Sequence, residues 1–228
     1  MPASSLMSSA DDGCFPRLRD LIAGIAPPKQ RKAWQRDFEK IIVEDGQRWR
    51  HIEATLVRLP NAAWQCLKAA VLSQIDLRNP TWGWVQAIPL LNEARAHDYL
   101  VRHGYRDVEF LTAHMRAKSP DLRATRDGKV LLCEVKTLRL ARRDSLAGNL
   151  RVKLAKRLGD AAQQLAAIGD AFDAARMIYL VLDIGDDLQP MADEIREQID
   201  LLLAGVDLAD INIVIDEDAP ADLEVDGL

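Results

Sequence analysis

The feature that most limits what this chain can fold into is a short apolar run with charges set inside it. The segment from Lys129 to Thr137 (KVLLCEVKT) is too short and too rich in β-formers for a helix of its own, and it predicts a buried strand. Side chains alternate along a strand, so Glu134 and Lys136 share one face and Val135 takes the other. Asp121, in Ser119-Pro120-Asp121, opens a neighbouring segment that also reads as a strand. Two carboxylates and an ammonium therefore enter otherwise apolar elements. Burying them is costly unless they are paired or hold a metal. The set suits a hard divalent cation and an anionic substrate. A plain ion-paired cluster is the alternative.

The 228 residues, 48% hydrophobic and 29% charged, are enough for a full core. No run of roughly 18 apolar residues occurs, which predicts no membrane partner. Met1 to Asp12 lacks the basic-then-apolar order of a secretory signal, and Cys14, Cys66 and Cys133 have no paired spacing. Both point to a reducing, cytoplasmic setting. The net charge of -5 argues against a bulk nucleic-acid coat protein. Its distribution says more. Residues 116 to 157 hold thirteen Lys or Arg against four acids, a local balance of +9, whereas Asp183 to Leu228 hold fifteen acids against Arg196 alone. The charged strand lies in the basic block, which fits a phosphate-rich partner; a solvated basic face is the simpler reading of the block alone.

Residues 29 to 75 predict two or three helices. Their apolar stripes are Ala33, Phe38, Ile41 and Ile42; Trp49, Ile52, Leu56 and Leu59; and Trp64, Leu67, Val71 and Ile75. Pro60 and Pro80 read as breaks, with Trp82 and Trp84 in a short connector. From Ile88 to His103 the pattern is one amphipathic helix ended by Gly104. Val108 to His114 and Asp121 to Thr125 predict strands, Asp127-Gly128 a hairpin turn, and Val130 to Leu138 a strand in the middle of a sheet covered on both faces. A basic loop follows from Arg139 to Gly148. Then come a helix (Asn149 to Ile168), a strand (Met177 to Ile184), a helix (Ala192 to Leu203) and a last strand (Ile211 to Ile215). Residues 1 to 85 thus form a helical region of unassigned role. Residues 86 to 228 form an α/β domain with an acidic C-terminal tail.

Within residues 88 to 184, Pro120-Asp121 followed by Glu134-Val135-Lys136, in that order of elements, resembles the PD-(D/E)XK nuclease superfamily, the restriction-endonuclease-like fold. Glu93 on the first helix and Gln163-Gln164-Leu165 on the second add to the likeness. The resemblance implies an αβββαβ core with a central mixed sheet flanked by helices. It also implies a Mg²⁺ site, with Mn²⁺ as a possible substitute, formed by Glu93, Asp121, Glu134 and the carbonyl of Val135. In that picture Asp121, Glu134, Lys136 and Gln164 are catalytic. Lys136 orients or deprotonates the attacking water, and Gln164 bonds to the site or to the phosphodiester.

Lys153, Arg157, Asp160 and Gln164 form a stripe on the second helix, where the two cations could hold backbone phosphates. Arg123, Arg139, Arg142 and Arg143 are further phosphate candidates. His97 faces the same way as Glu93, but the four histidines have no ligand spacing, so zinc is not expected. The expectation is a Mg²⁺-dependent nuclease that hydrolyses phosphodiester bonds, in DNA rather than RNA. The alternative is a non-catalytic nucleic-acid-binding or protein-interaction module that keeps the fold. Cutting two strands needs two sites or two visits, so a homodimer is a further expectation, with the helical N-terminus as its interface.

Overall fold

A computed structural model describes residues 14–111, 119–140, 147–169, 174–184, 186–206, 208 and 210–217. The chain divides into two compact units, one ending at Ala94 and the other beginning at Arg95. The sequence pattern put this division at 85/86. It falls later because residues 80–91 form a helix that packs on the preceding helices.

The first unit contains α1 (Pro16–Ala23), α2 (Pro28–Arg58), α3 (Asn61–Gln74) and α4 (Pro80–Leu91). Proline stands in the first turn of α1, α2 and α4, where its missing N–H has no helical partner to lose. α2 kinks at Asp45, whose backbone is non-helical (φ -145°, ψ 48°). Phe15, Trp34, Phe38, Trp49 and Trp84 pack into one buried aromatic cluster. Gly83 is required there: a Cβ would meet the Trp34 ring at 2.4 Å and the Asp76 carbonyl at 2.9 Å. Glu53 is buried and accepts the Arg17 and Leu18 amide protons at 2.7 and 2.9 Å, capping α1 from a distant helix.

Two sequence expectations are corrected here. Trp82 and Trp84 lie in α4, not in a connector. The Asn79-Pro80 pair starts a helix, because the Asn79 side chain accepts the Trp82 amide at 3.2 Å. The single helix expected from Ile88 to His103 is two, α4 and α5 (Glu93–Arg102), which meet at Asn92. The expected stop at Gly104 holds. Its φ is +79°, and the amides of Gly104 and Tyr105 reach the carbonyls of Val101 and Leu100, the two bonds of a Schellman cap.

The second unit holds most of α5 and a five-stranded mixed sheet in the order β1-β2-β3-β4-β5. The strands are β1 (Arg106–Phe110), β2 (Leu122–Arg126), β3 (Lys129–Leu140), β4 (Ala175–Ile184) and β5 (Ile211–Glu217). The first three are antiparallel neighbours; β3, β4 and β5 run parallel. α6 (Ala147–Gly169) links β3 to β4, and α7 (Ala192–Ala204) precedes β5. The unit is therefore α/β. β1 begins earlier than expected, and residues 112–114 of the expected first strand lie outside the described residues. β3 runs on to Leu140 and α6 begins at Ala147, so both ends of the predicted basic loop belong to these elements, and residues 141–146 lie outside the described residues.

β3 is central, and its alternation divides the core in two. Leu132, Leu138 and Leu140 join Leu150, Leu154, Leu158 and Leu165 of α6 and Ile195 and Ile199 of α7 on one face. Leu131, Cys133 and Val135 join Ala96 and Leu100 of α5 and Leu122 of β2 on the other. Arg95 ties α5 to β5 through Asp216, Nε to Oδ2 at 2.7 Å. Among the described residues no helix is long and apolar enough to cross a membrane.

Candidate active site

The β2–β3 hairpin sets the site. Asp127 and Gly128 both have positive φ (52° and 75°), the backbone of a two-residue hairpin turn. That turn fixes the register Leu122↔Cys133, which places Asp121 across from Glu134. Asp121 Oδ2 accepts the Val135 amide at 2.7 Å, which holds its carboxylate against β3. Even-numbered β3 residues face α6, so Glu134 and Lys136 point under that helix. The Lys136 ammonium donates to Glu134 Oε1 and, at 2.6 Å, to Gln164 Oε1 on α6. Four of the expected catalytic residues are thus brought together: Asp121, Glu134, Lys136 and Gln164.

The electrostatics fit a cation site. Burial first, then the neighbouring Asp121 charge, push Glu134 up to about 7, against the pull of Lys136. Burial also raises Asp121, although the Val135 amide and Lys136 favour its charged form. Two facing carboxyls with raised affinities hold a proton that a divalent ion would displace. Glu134 is 1% exposed, yet its Oε2 is buried with no hydrogen-bond partner. Asp121 and Glu134 interact directly, so a proton or a cation shared between the two carboxyls can satisfy this oxygen. The donor set is all oxygen, as Mg²⁺ requires. Among the described residues no group of three or more His, Cys, Asp or Glu side chains could hold a metal. The site offers two carboxylates, the number with which Mg²⁺ is commonly held beside waters and phosphate.

The other candidates are placed as follows. Val135 contributes its amide to Asp121. Glu93 opens α5 within the first unit, where its charge acts on Cys66. Arg123 is exposed on β2, two residues from Asp121 and on the same strand face. Lys153 and Arg157 lie on α6, Arg157 exposed and Lys153 with its Nζ 3.4 Å from the Arg139 carbonyl. Arg139 alternates to the opposite sheet face from Lys136, where its Nε is 3.8 Å from Asp183. Arg142 and Arg143 lie outside the described residues. His97 is a core residue: it is buried, stacked on Phe110 at 5.4 Å, and its basicity is lowered by burial. Two exposed cations of α6, Arg151 and Lys156, stand outside the expected set. Lys156 is exposed on α6, three residues past Lys153, a spacing that the helical stripe could have revealed.

No protein-family model, curated protein or solved structure matches this chain.

Proposed function

We propose that the second unit is a restriction-endonuclease-like core whose site is a Mg²⁺-dependent nuclease, hydrolysing phosphodiester bonds in DNA. The observation that carries this reading is the convergence of Asp121, Glu134, Lys136 and Gln164 at the centre of the sheet, with Glu134 Oε2 left unpartnered. Asp121 and Glu134 would hold the ion through their carboxylate oxygens. The chemistry Mg²⁺ supplies when bound is a water of lowered pKa and a neutralised phosphate charge. Lys136, fixed by Glu134 and Gln164, donates to the attacking water or to a non-bridging phosphate oxygen and stabilises the charge that builds there. Exposed cations of α6, Arg157 and Lys156 among them, and Arg123 of β2 position the nucleic-acid backbone.

The test is cleavage of plasmid and linear DNA by the full chain with Mg²⁺, with and without chelator, beside Lys136→Ala. The reading requires nicking or cutting that both perturbations remove. DNA binding without cleavage would replace it with the non-catalytic binding module. Cleavage indifferent to chelator and to Lys136→Ala would refute it.

A further inference from the structure

The two edges of the sheet are built differently. The β1 edge carries an irregularity between Arg106 and Glu109, a left-handed Asp107 (φ 50°), and exposed charges at Arg106, Asp107 and Glu109. Bulges and charges are the devices that stop an edge strand from recruiting another. β5, at the opposite edge, has neither bulge, proline nor lysine, and its two charges, Asp216 and Glu217, stand together at its C-terminal end. It runs in unbroken register along β4 from Ile211 to Glu217. Ile213, Val214 and Ile215 stay partly exposed although they pack on the core clusters. Among the described residues no strand pairs with the outer side of β5. Alternate N–H and C=O groups of β5 therefore face outward beside an apolar strip, which is a template for strand addition.

We infer that this edge pairs with a second copy of the chain, β5 against β5, antiparallel about a two-fold axis at Val214. In this register the strand is complementary to itself, which is what a second copy requires. With Val214 opposite itself, Ile213 faces Ile215 and Asn212 faces Asp216 of the other copy. Asn212 is exposed, and its carboxamide can donate to the carboxylate. Asp216 is already oriented by Arg95, so it is held in place to accept. Parallel in-register pairing would instead set Asp216 against Asp216, a like-charge contact that destabilises strand pairs. A two-fold axis also closes the assembly at two chains. The inference rests on the sheet edges and stands apart from the nuclease reading. It moves the dimer contact away from the helical N-terminus that the sequence pointed to.

A seven-residue ladder is a small interface, below the roughly 1,000 Å² of tight complexes, so the dimer is weak. The test is sedimentation velocity of the full chain from about 1 to about 300 µM, a range suited to an interface of this size. Two substitutions at exposed Asn212 are compared. Asn212→Lys sets a lysine against Asp216 twice per dimer, and Asn212→Asp sets a second carboxylate there. The expected result is a monomer–dimer equilibrium, tightened by Asn212→Lys and loosened about fivefold or more by Asn212→Asp. Unchanged melting of the dilute monomer shows that both variants fold. A single-chain mass throughout overturns the inference. A dimer that does not respond in opposite directions to the two substitutions overturns it too, and so does open-ended assembly.

Discussion

The Lys136 ammonium on β3 lies 2.6 Å from the Gln164 amide oxygen on α6. A helix thus fixes the rotamer of a lysine whose own strand supplies only one partner, Glu134. The contact matters because a cation serves the transition state only if it is already aimed where charge develops.

Gln164→Ala leaves Lys136 held from one side. The expected loss is about 10–100-fold in the single-turnover rate of DNA cleavage, with little change in KM and in melting temperature. Gln164→Glu keeps an acceptor for the ammonium and recovers part of the rate. A rate unchanged in Gln164→Ala would remove Gln164 from the site.

Stability should depend on pH through Glu134. Its carboxyl is pushed from 4.5 up to about 7 in the folded chain. A folded value above the unfolded one means that the folded state binds more protons between them. The stabilisation is complete below pH 4.5 and is lost as pH rises through about 7. In chelator, urea denaturation of the wild type should lose on the order of 2 kcal/mol across that window relative to Glu134→Gln. Parallel profiles would contradict the raised value.

Gly83→Ala forces a methyl into the Trp34 ring and towards the Asp76 carbonyl. Overpacking of this kind costs about 2 kcal/mol, read as a lower urea midpoint at unchanged slope. An unchanged midpoint would mean that the aromatic cluster yields freely.

Glu53→Ala removes the acceptor for two amide protons at the start of α1, and leaves the buried Leu18 amide without a partner. The expected cost is about 2 kcal/mol by thermal or urea unfolding. Glu53→Gln keeps one acceptor oxygen and loses less.

The parts legible in the sequence were those with local causes. Asp127-Gly128 marked a hairpin because both residues tolerate positive φ, and the register then put Asp121 opposite Glu134 by counting. Gln164 was implied by the resemblance to PD-(D/E)XK nucleases, and helical spacing set it on one stripe with Lys153 and Arg157. The split at Asn92 and the helical Trp82 were not legible, because Asn79-Pro80 reads equally as a break or as a cap and start. The turn of Arg139 towards Asp183 follows from strand alternation once β3 is known to reach Leu140. Glu53 as the cap of α1, and β5 as an edge strand of the described sheet, depend on which elements tertiary packing brings together. Spacing along one chain does not encode that.

The central claim is that Asp121 and Glu134 together hold a divalent cation. Electron paramagnetic resonance of Mn²⁺ added to the full chain without DNA measures this directly, with Asp121→Asn and Glu134→Gln beside the wild type. The account predicts bound Mn²⁺ that Mg²⁺ displaces, with affinity rising as pH passes through about 7, and lost in both variants. Binding of equal strength in the wild type and both variants, or no binding in any of them, would contradict it.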